Sequence, residues 1–196
     1  RILDYRILES IGEGGFGEVF RAEHEVLGRV VAIKVPRDLE ALSALRMEGV
    51  IQAQLDHPGI VKTLEMSISH DPPYVAMEYI EGDSLRRLLE RGALPWKRSV
   101  KLLIDVCKAL EYAHSQGIIH GDIKPGNILI SAKSSESAKL TDFGLGRALE
   151  GCAHAKLQIS RSLNFVESAS KVVGTLRYLA PELQRGETAD ALADVY

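Results

Sequence analysis

The 196-residue sequence is poor in the features that mark secreted, membrane-spanning and nucleic-acid-binding proteins. Its two cysteines are too few for a disulfide framework, which predicts a reducing compartment. It has no secretory signal pattern and no apolar run long enough to span a bilayer. Its net charge of -3 disfavours nucleic acid as the main partner. We therefore expect a protein of the cytoplasm, or the cytosolic part of a larger or membrane-anchored protein.

Two short segments carry the groups that transfer of a phosphoryl group requires: HGDIKPGN at residues 120–127, and DFG, which begins at Asp142. Asp122 is placed to accept the proton of an attacking hydroxyl, and Lys124 to neutralise the moving phosphate. Asn127 and Asp142 offer oxygen atoms, the ligands that magnesium prefers. Each residue alone is also typical of a loop that satisfies its own backbone. The four together, in this order, predict phosphoryl transfer.

A glycine-rich stretch near the start, GEGGFGEV at residues 12–19, is typical of loops that bind phosphate through backbone amides. A dinucleotide-binding fold would place a helix directly after these glycines. Here the chain instead continues as an apolar run, turns near Gly28 and returns in the run VVAIKV at residues 30–35. The pattern therefore predicts a β-hairpin.

Lys34 stands in the second of these apolar runs, where an unpaired ammonium group would be costly. It therefore needs an anionic partner, either a phosphate or a carboxylate. The apolar spacing predicts a helix over residues 38–55, and we choose Glu48 on this helix as the partner. Glu40 in the first turn is the competing choice, although the helix dipole alone would favour a glutamate there. Gly49 weakens the helix by about 1 kcal/mol relative to alanine, which indicates local mobility.

The chain resembles a eukaryotic-type protein kinase catalytic domain of the bacterial serine/threonine branch, from about Tyr5 to the last residue. The matching motifs are the glycine-rich stretch, VAIK at 31–34, HGDIKPGN, DFG, GT at 174–175 and YLAPE at 178–182. The resemblance implies an α+β, two-lobe fold. Residues 1–80 would form a small antiparallel β lobe with one helix, and residues 81–196 a mainly helical catalytic lobe that is incomplete at its end. ATP would lie in the cleft between the lobes.

The resemblance also implies ATP and Mg2+ as cofactors and a protein with a serine or threonine acceptor as substrate. Met77 would be the gatekeeper beside adenine, and residues 78–80 the hinge whose backbone binds it. The implied catalytic residues are Lys34, Glu48, Asp122, Lys124 and Thr175. The implied nucleotide-binding residues are Gly12, Gly14, Gly15, Gly17, Val19, Ala32, Lys34, Met77, Glu78, Ile80 and Leu129. The implied metal ligands are Asn127 and Asp142.

One position departs from the family pattern in a way that bears on regulation. Gly121 stands where most relatives carry an arginine, which in many of them receives a phosphate from the activation segment, here residues 142–182. Family spacing places the usual phosphate-bearing position at Lys171. We therefore predict activity that does not depend on phosphorylation at that position, although Ser168 and Ser170 nearby remain candidates for autophosphorylation.

In the second lobe the pattern predicts a short helix over residues 84–91 and a long one over residues 95–116. Cys107 is assigned to an apolar face of the long helix and is predicted to be a buried thiol. The other cysteine, Cys152, has one histidine nearby, and two ligands make a poor metal site.

The resemblance makes Asp194 an anchoring residue at the start of a central helix, two residues before the last residue, Tyr196. Several helices of the family would then be missing. We therefore expect a fragment of a longer protein, with further domains beyond Tyr196.

Two other functions stay open. Small-molecule phosphotransferases of the aminoglycoside and choline type share HGD and a later asparagine, but they generally lack Lys124 and the segment 174–182. A catalytically silent nucleotide-binding scaffold, or pseudokinase, is suggested by Gly121, Gly49 and the incomplete end. The groups that would touch phosphate and metal are intact, which argues against a scaffold: Lys34, Asp122, Asn127 and Asp142.

Overall fold

The computed structural model describes residues 2–14, 17–132, 136–143, 177–185, 187 and 190–196. The chain divides into two compact units, Arg1–Glu81 and Gly82–Tyr196. The first contains a five-stranded antiparallel sheet and a long helix, and the second contains a three-stranded antiparallel sheet and further helices. The lobe boundary expected at residue 80 lies one residue before this division.

The sheet of the first unit has the strand order β1-β2-β3-β5-β4, and each neighbouring pair is antiparallel. Its strands are β1 Tyr5–Gly14, β2 Gly17–His24, β3 Val30–Pro36, β4 Thr63–Ser67 and β5 Tyr74–Glu78. The β2–β3 hairpin predicted from the sequence is present. Gly28 has a φ of 62° in its turn, a conformation that glycine adopts without strain.

Two tyrosines and a glutamate tie β1, β4 and β5 together. The hydroxyls of Tyr5 and Tyr74 each donate a hydrogen bond to Glu65, both at 2.7 Å. Burial, together with these hydrogen bonds, raises the pKa of both phenols well above the ordinary value, so both remain protonated donors. The buried apolar cluster in this part of the sheet contains Ile2, Tyr5, Ala22, Val31, Ile33, Tyr74 and Ala76.

Helix α1, Leu39–Gln52, begins after Asp38, whose side chain accepts a hydrogen bond from a backbone N–H of the first turn at 2.8 Å. A β-carbon on Gly49 would lie 2.9 Å from the sulfur of Met66 in β4 and 3.2 Å from a methyl group of Val75 in β5. Glycine therefore lets the helix approach the sheet closely, a reason for this residue that the sequence did not reveal.

The second unit contains the long helix α3, Trp96–Ser115, which buries apolar residues at helical spacing. These are Leu102, Val106, Ala109, Leu110 and Ala113. The shorter helices are α2 Leu85–Glu90 and α4 Pro181–Gln184, and single 3-10 turns cover Pro125–Asn127 and Ala191–Asp194. The sheet has the order β6-β7-β8, with strands Gly82–Ser84, Ile128–Ser131 and Ser137–Leu140. Within the described ranges, none of the helices has the length and apolar character needed to cross a membrane.

The prediction that Cys107 is buried is wrong. Cys107 is exposed, and Leu103, one turn earlier on the same face, is 54% exposed. The buried face of α3 runs through Val106 and Leu110 instead. Successive helical residues are about 100° apart, so Cys107 lies roughly a quarter turn away from Val106 and faces outward.

Polar side chains of α3 hold the β7–β8 hairpin in place. Arg98 contacts Glu136, just before β8, through Nε and an Nη atom at 2.5–3.1 Å. The Asp105 carboxylate accepts a hydrogen bond from the Ala138 N–H at 3.2 Å. These contacts position β7, the strand that directly follows Asn127.

Candidate active site

A buried histidine fixes the start of the segment 120–127. His120 is fully buried, and its ring packs against Phe143 with a centroid separation of 4.5 Å. Its Nδ1 accepts a hydrogen bond from the Asp122 N–H at 3.3 Å, so Nε2 carries the proton that is donated to the Thr141 carbonyl at 3.0 Å. Burial lowers the pKa of His120, which keeps the ring neutral and preserves this arrangement at physiological pH.

The side chain of Asp194 anchors the backbone of the same segment. Its Oδ2 accepts hydrogen bonds from the His120 N–H and from His114 Nε2, both at 2.8 Å. Its Oδ1 accepts a hydrogen bond from the Gly121 N–H at 2.7 Å. The side chain of Asp194 is fully buried, and these bonds replace the water that the carboxylate loses. Gly121 has a φ of 75°, the left-handed region in which a side chain is unfavourable.

Asp122, Lys124 and Asn127 meet within hydrogen-bonding distance. Lys124 Nζ lies 2.5 Å from Asp122 Oδ2, and Asn127 Nδ2 donates to the same oxygen at 2.9 Å. The 3-10 turn Pro125–Asn127 turns the chain back, so that Asn127 Nδ2 also donates to the Asp122 carbonyl at 2.9 Å. The result is a carboxylate beside an ammonium group, the pair needed to accept a hydroxyl proton and to neutralise a phosphate.

Asn127 and Asp142 offer oxygen ligands for a divalent cation. Because Asn127 Nδ2 is directed at Asp122, the amide oxygen is the atom turned away from that carboxylate. Asp142 follows Thr141, whose N–H donates to the Asn127 carbonyl at 3.1 Å. Asp142 has a φ of 63°, an uncommon value for a residue with a side chain. An amide oxygen together with a carboxylate is a donor set that fits Mg2+.

In the first unit, Lys34 of β3 is paired with Glu48 of α1. Lys34 Nζ lies 2.8 Å from both carboxylate oxygens, and the two side chains are only 8% and 12% exposed. Glu48 is therefore the carboxylate that satisfies the ammonium group in this strand, as we chose from the sequence. A pair this poorly hydrated requires both charges, because either one alone would be buried without compensation.

The described residues of the glycine-rich stretch belong to β1 and β2, and Gly14 pairs with Gly17. Gly17 has a φ of 148°, and a β-carbon there would lie 2.0 Å from the Val35 carbonyl oxygen. Glycine is therefore required at this position by the fold itself. Gly12, in β1, has open space around it, so its identity is not explained by packing within the described residues.

The residues expected beside adenine are distributed over neighbouring strands. Val19 lies on β2 and Ala32 on β3, and Ala32 pairs directly with Met77 on β5. Ala32 and Met77 are buried, at 8% and 5% exposure. Leu129 belongs to the second unit, where it lies partly buried on β7.

The hinge segment, residues 78–80, begins at the last residue of β5. The Glu78 N–H donates to the Lys62 carbonyl, and the Glu78 side chain accepts from the Lys62 N–H, both at 2.9 Å. The next residue, Tyr79, has its ring centroid 5.5 Å from the guanidinium carbon of Arg21. Ile80 is partly buried.

Sequence reasoning missed two side chains at these places. His114 lies 80 residues from Asp194 in the chain, and Arg21 is an arginine in a strand, so only the folded structure shows what they contact. Two of the predicted site residues, Gly15 and Thr175, lie outside the described residues. So do Lys171, Ser168, Ser170 and Cys152.

Comparison with known proteins decides the family. A model of the protein kinase domain matches residues 5–196. The chain belongs to the protein kinase domain family. The kinase domain is 38% identical over 202 residues to serine/threonine-protein kinase PknB of Mycobacterium tuberculosis, covering 98% of this chain and 30% of that protein.

Two further relatives agree. A probable serine/threonine-protein kinase PknB of Bifidobacterium longum is 39% identical over 207 residues, covering 98% of this chain and 28% of the relative. A probable serine/threonine-protein kinase of Clostridium perfringens is 33% identical over 198 residues, covering 98% and 27%. The kinase domain thus spans less than a third of the length of these relatives. The predicted family and the α+β kinase fold are confirmed, and the relatives named above are serine/threonine-protein kinases.

Proposed function

We propose that this kinase domain is catalytically active and transfers the γ-phosphate of ATP to serine or threonine hydroxyls of protein substrates. The observation that carries the proposal is the placement of Lys124 Nζ and Asn127 Nδ2 at 2.5 and 2.9 Å from the same carboxylate oxygen of Asp122. The Lys34–Glu48 pair in the first unit supports it, because a phosphate-binding lysine is held there by its carboxylate partner. The serine/threonine kinases named above support the choice of protein hydroxyls as acceptors.

In the proposed reaction, Asp122 takes the proton of the acceptor hydroxyl as that oxygen bonds to the γ-phosphorus, while the bond from the γ-phosphorus to the β–γ bridging oxygen breaks and ADP leaves. Lys124 neutralises charge on the transferring phosphoryl oxygens, and Lys34 binds phosphate oxygens of the nucleotide. Asn127 and Asp142 would hold magnesium, which when bound adds positive charge against the phosphates. His120 and Asp194 have a structural role, because they keep the backbone around Asp122 in one conformation.

For nucleotide binding, we propose that the backbone of Glu78 and Ile80 binds adenine. Three apolar side chains, Val19, Ala32 and Leu129, would contact its faces, with Met77 as gatekeeper. The backbone amides of the glycine-rich stretch would contact the phosphates, and they belong to residues without side chains: Gly12, Gly14, Gly15 and Gly17.

We further propose that activity does not depend on phosphorylation at position 171. Gly121 has no side chain that could receive a phosphate, and its backbone is held by the buried Asp194 carboxylate instead. Lys171 cannot be phosphorylated as a serine or threonine would be. Mass spectrometry combined with activity assays tests this. If phosphorylation of Ser168 or Ser170 switches activity on, the proposal fails.

The deciding experiment for the function is transfer of labelled phosphate from ATP with Mg2+ to a mixed protein substrate and to the chain itself. Asp122→Asn is the control, and a loss on the order of 10²- to 10⁴-fold is expected for a missing general base. Label on serine or threonine in the wild type alone is the expected result. If wild type and Asp122→Asn incorporate equal label, Asp122 does not have this role.

Two alternatives are outcomes of the same assay. Binding of nucleotide with no transfer to protein would favour the silent scaffold. Transfer to an aminoglycoside or choline but not to protein would favour a small-molecule phosphotransferase, which the family match disfavours.

We also propose a cytosolic location, which the exposed free thiol of Cys107 fits because such thiols persist in reducing compartments.

A further inference from the structure

Arg21 lies in the row of the sheet that contains a proposed adenine contact. Cross-strand pairing aligns Glu9 of β1 with Arg21 of β2, and Arg21 with Ala32 of β3. Ala32 in turn pairs with Met77 of β5. Directly paired residues of antiparallel strands project to the same side of the sheet. Arg21 therefore shares a face with Ala32 and Met77, although the phosphoryl-transfer chemistry above gives it no role.

Two contacts hold the guanidinium of Arg21. Its Nη1 donates a hydrogen bond to Glu9 Oε1 at 2.7 Å. Its central carbon lies 5.5 Å from the ring centroid of Tyr79, within the range of a cation–π interaction. Its Nε is shielded from solvent and has no hydrogen-bond partner within the described part of the chain. The side chain is thus committed to Glu9 on one strand and to the ring of Tyr79.

Tyr79 is the middle residue of the hinge segment, residues 78–80. The ladder between β3 and β5 ends with the pair Val31 and Glu78, so Tyr79 lies just beyond the last paired residue of β5. Lys62 holds the hinge at Glu78, and Arg21 holds it one residue later. Hydrogen bonds weaken steeply as distance and angle depart from their optimum. A hinge that binds adenine through its backbone therefore gains from a second fixed point.

We propose that Arg21 is a positioning residue for nucleotide binding, which clamps the Tyr79 ring and so fixes the hinge backbone relative to β1 and β2. It acts through Tyr79 and needs no contact with the nucleotide. The inference rests on the proposed function, because it concerns the affinity of the hinge for adenine.

The test compares binding of Mg-ADP by calorimetry, and the KM and kcat for ATP, in the wild-type chain and in variants. Loss of one exposed cation–π contact corresponds to a change of about two- to five-fold. Arg21→Leu and Tyr79→Leu should each raise the Kd for Mg-ADP and the KM for ATP by that factor, with kcat unchanged. The double variant should add no further loss, because both changes remove the same contact. Tyr79→Phe keeps the ring and should therefore lose less affinity for Mg-ADP than Tyr79→Leu does.

Arg6→Leu is the matched control. Arg6 of β1 pairs with Glu23 of β2, so this variant also removes an arginine–glutamate pair between the same two strands. Its Kd should equal that of the wild type. If wild type binds Mg-ADP and Arg21→Leu binds as tightly as Arg6→Leu, the inference is overturned while the proposed function stands. A lower melting temperature of Arg21→Leu with unchanged Kd overturns it as well. If the wild type binds no Mg-ADP, the proposed function fails first and the inference with it.

Discussion

Gly121 provides a sharp test of how the segment 120–127 is held in place. Its φ of 75° lies in the left-handed region, where a side chain costs about 1–2 kcal/mol. Its N–H donates to the buried carboxylate of Asp194 at 2.7 Å, so the backbone cannot relax without losing that hydrogen bond. We therefore expect Gly121→Ala to lower the free energy of unfolding by about 1–2 kcal/mol. For a chain of this size, each kcal/mol corresponds to a fall in Tm of about 2–4 °C.

The assay is urea denaturation monitored by tryptophan fluorescence, with two glycines of the same unit as controls. Gly126, in the 3-10 turn Pro125–Asn127, has no positive φ and open space for a β-carbon. Gly126→Ala should therefore leave stability unchanged or raise it by up to about 1 kcal/mol, because alanine restricts the unfolded chain more than glycine does. Gly117 has a φ of 69° and equally open space. The loss of stability in Gly117→Ala should therefore come from the positive φ alone.

Equal stability of Gly121→Ala and Gly126→Ala would refute the reasoning, because the positive φ would then carry no cost. Gly121→Arg extends the test to function. It introduces the family's usual side chain in a chain with lysine at position 171, so it should lose stability as the alanine variant does and gain no transfer activity. Higher transfer by Gly121→Arg would show that the glycine limits the reaction.

Three further predictions follow from buried or partly buried charges. Lys34→Met should lower stability by about 3 kcal/mol because it leaves Glu48 without a counter-charge. Lys34→Met/Glu48→Leu should recover most of that loss in thermal denaturation, yet transfer of labelled phosphate should stay absent in both variants. Asp194→Asn presents an amide N–H where a donor already points, so we expect about 2 kcal/mol less stability in urea denaturation together with reduced kcat. Hydrogen bonds from Arg98 lower the pKa of Glu136 below its ordinary value. This stabilisation is complete above the ordinary carboxyl pKa and disappears as pH falls through the lowered value. It amounts to less than about 1 kcal/mol because both side chains are partly exposed. Unfolding curves of wild type and Glu136→Gln should therefore differ at neutral pH and converge in acid, and a difference that persists in acid would contradict this origin.

Motifs of residues that are close together in the chain were enough to identify the proposed catalytic groups of this kinase domain. The segment 120–127 carries the proposed catalytic groups Asp122, Lys124 and Asn127 within one loop, so groups that are close in the chain are also close in space. Helices predicted over residues 84–91 and 95–116 match α2 and α3 with their capping residues, because caps and apolar period are local properties. The same local reasoning failed for Cys107, where a shift of one residue along a helix moves a side chain out of the buried face.

Tertiary structure decided what holds those groups in place. The family resemblance marked Asp194 as an anchoring residue, but only the folded structure shows that it reaches the backbone of His120 and Gly121 across more than 70 residues. The packing reason for Gly49 and the contact of Arg21 with Tyr79 likewise depend on how strands and helix pack. The sequence by itself determined the family, the fold class and the chemical groups, because these are written as motifs of contiguous residues. Burial, the compensation of buried charge and the positioning of the loop and hinge arise only when distant segments meet.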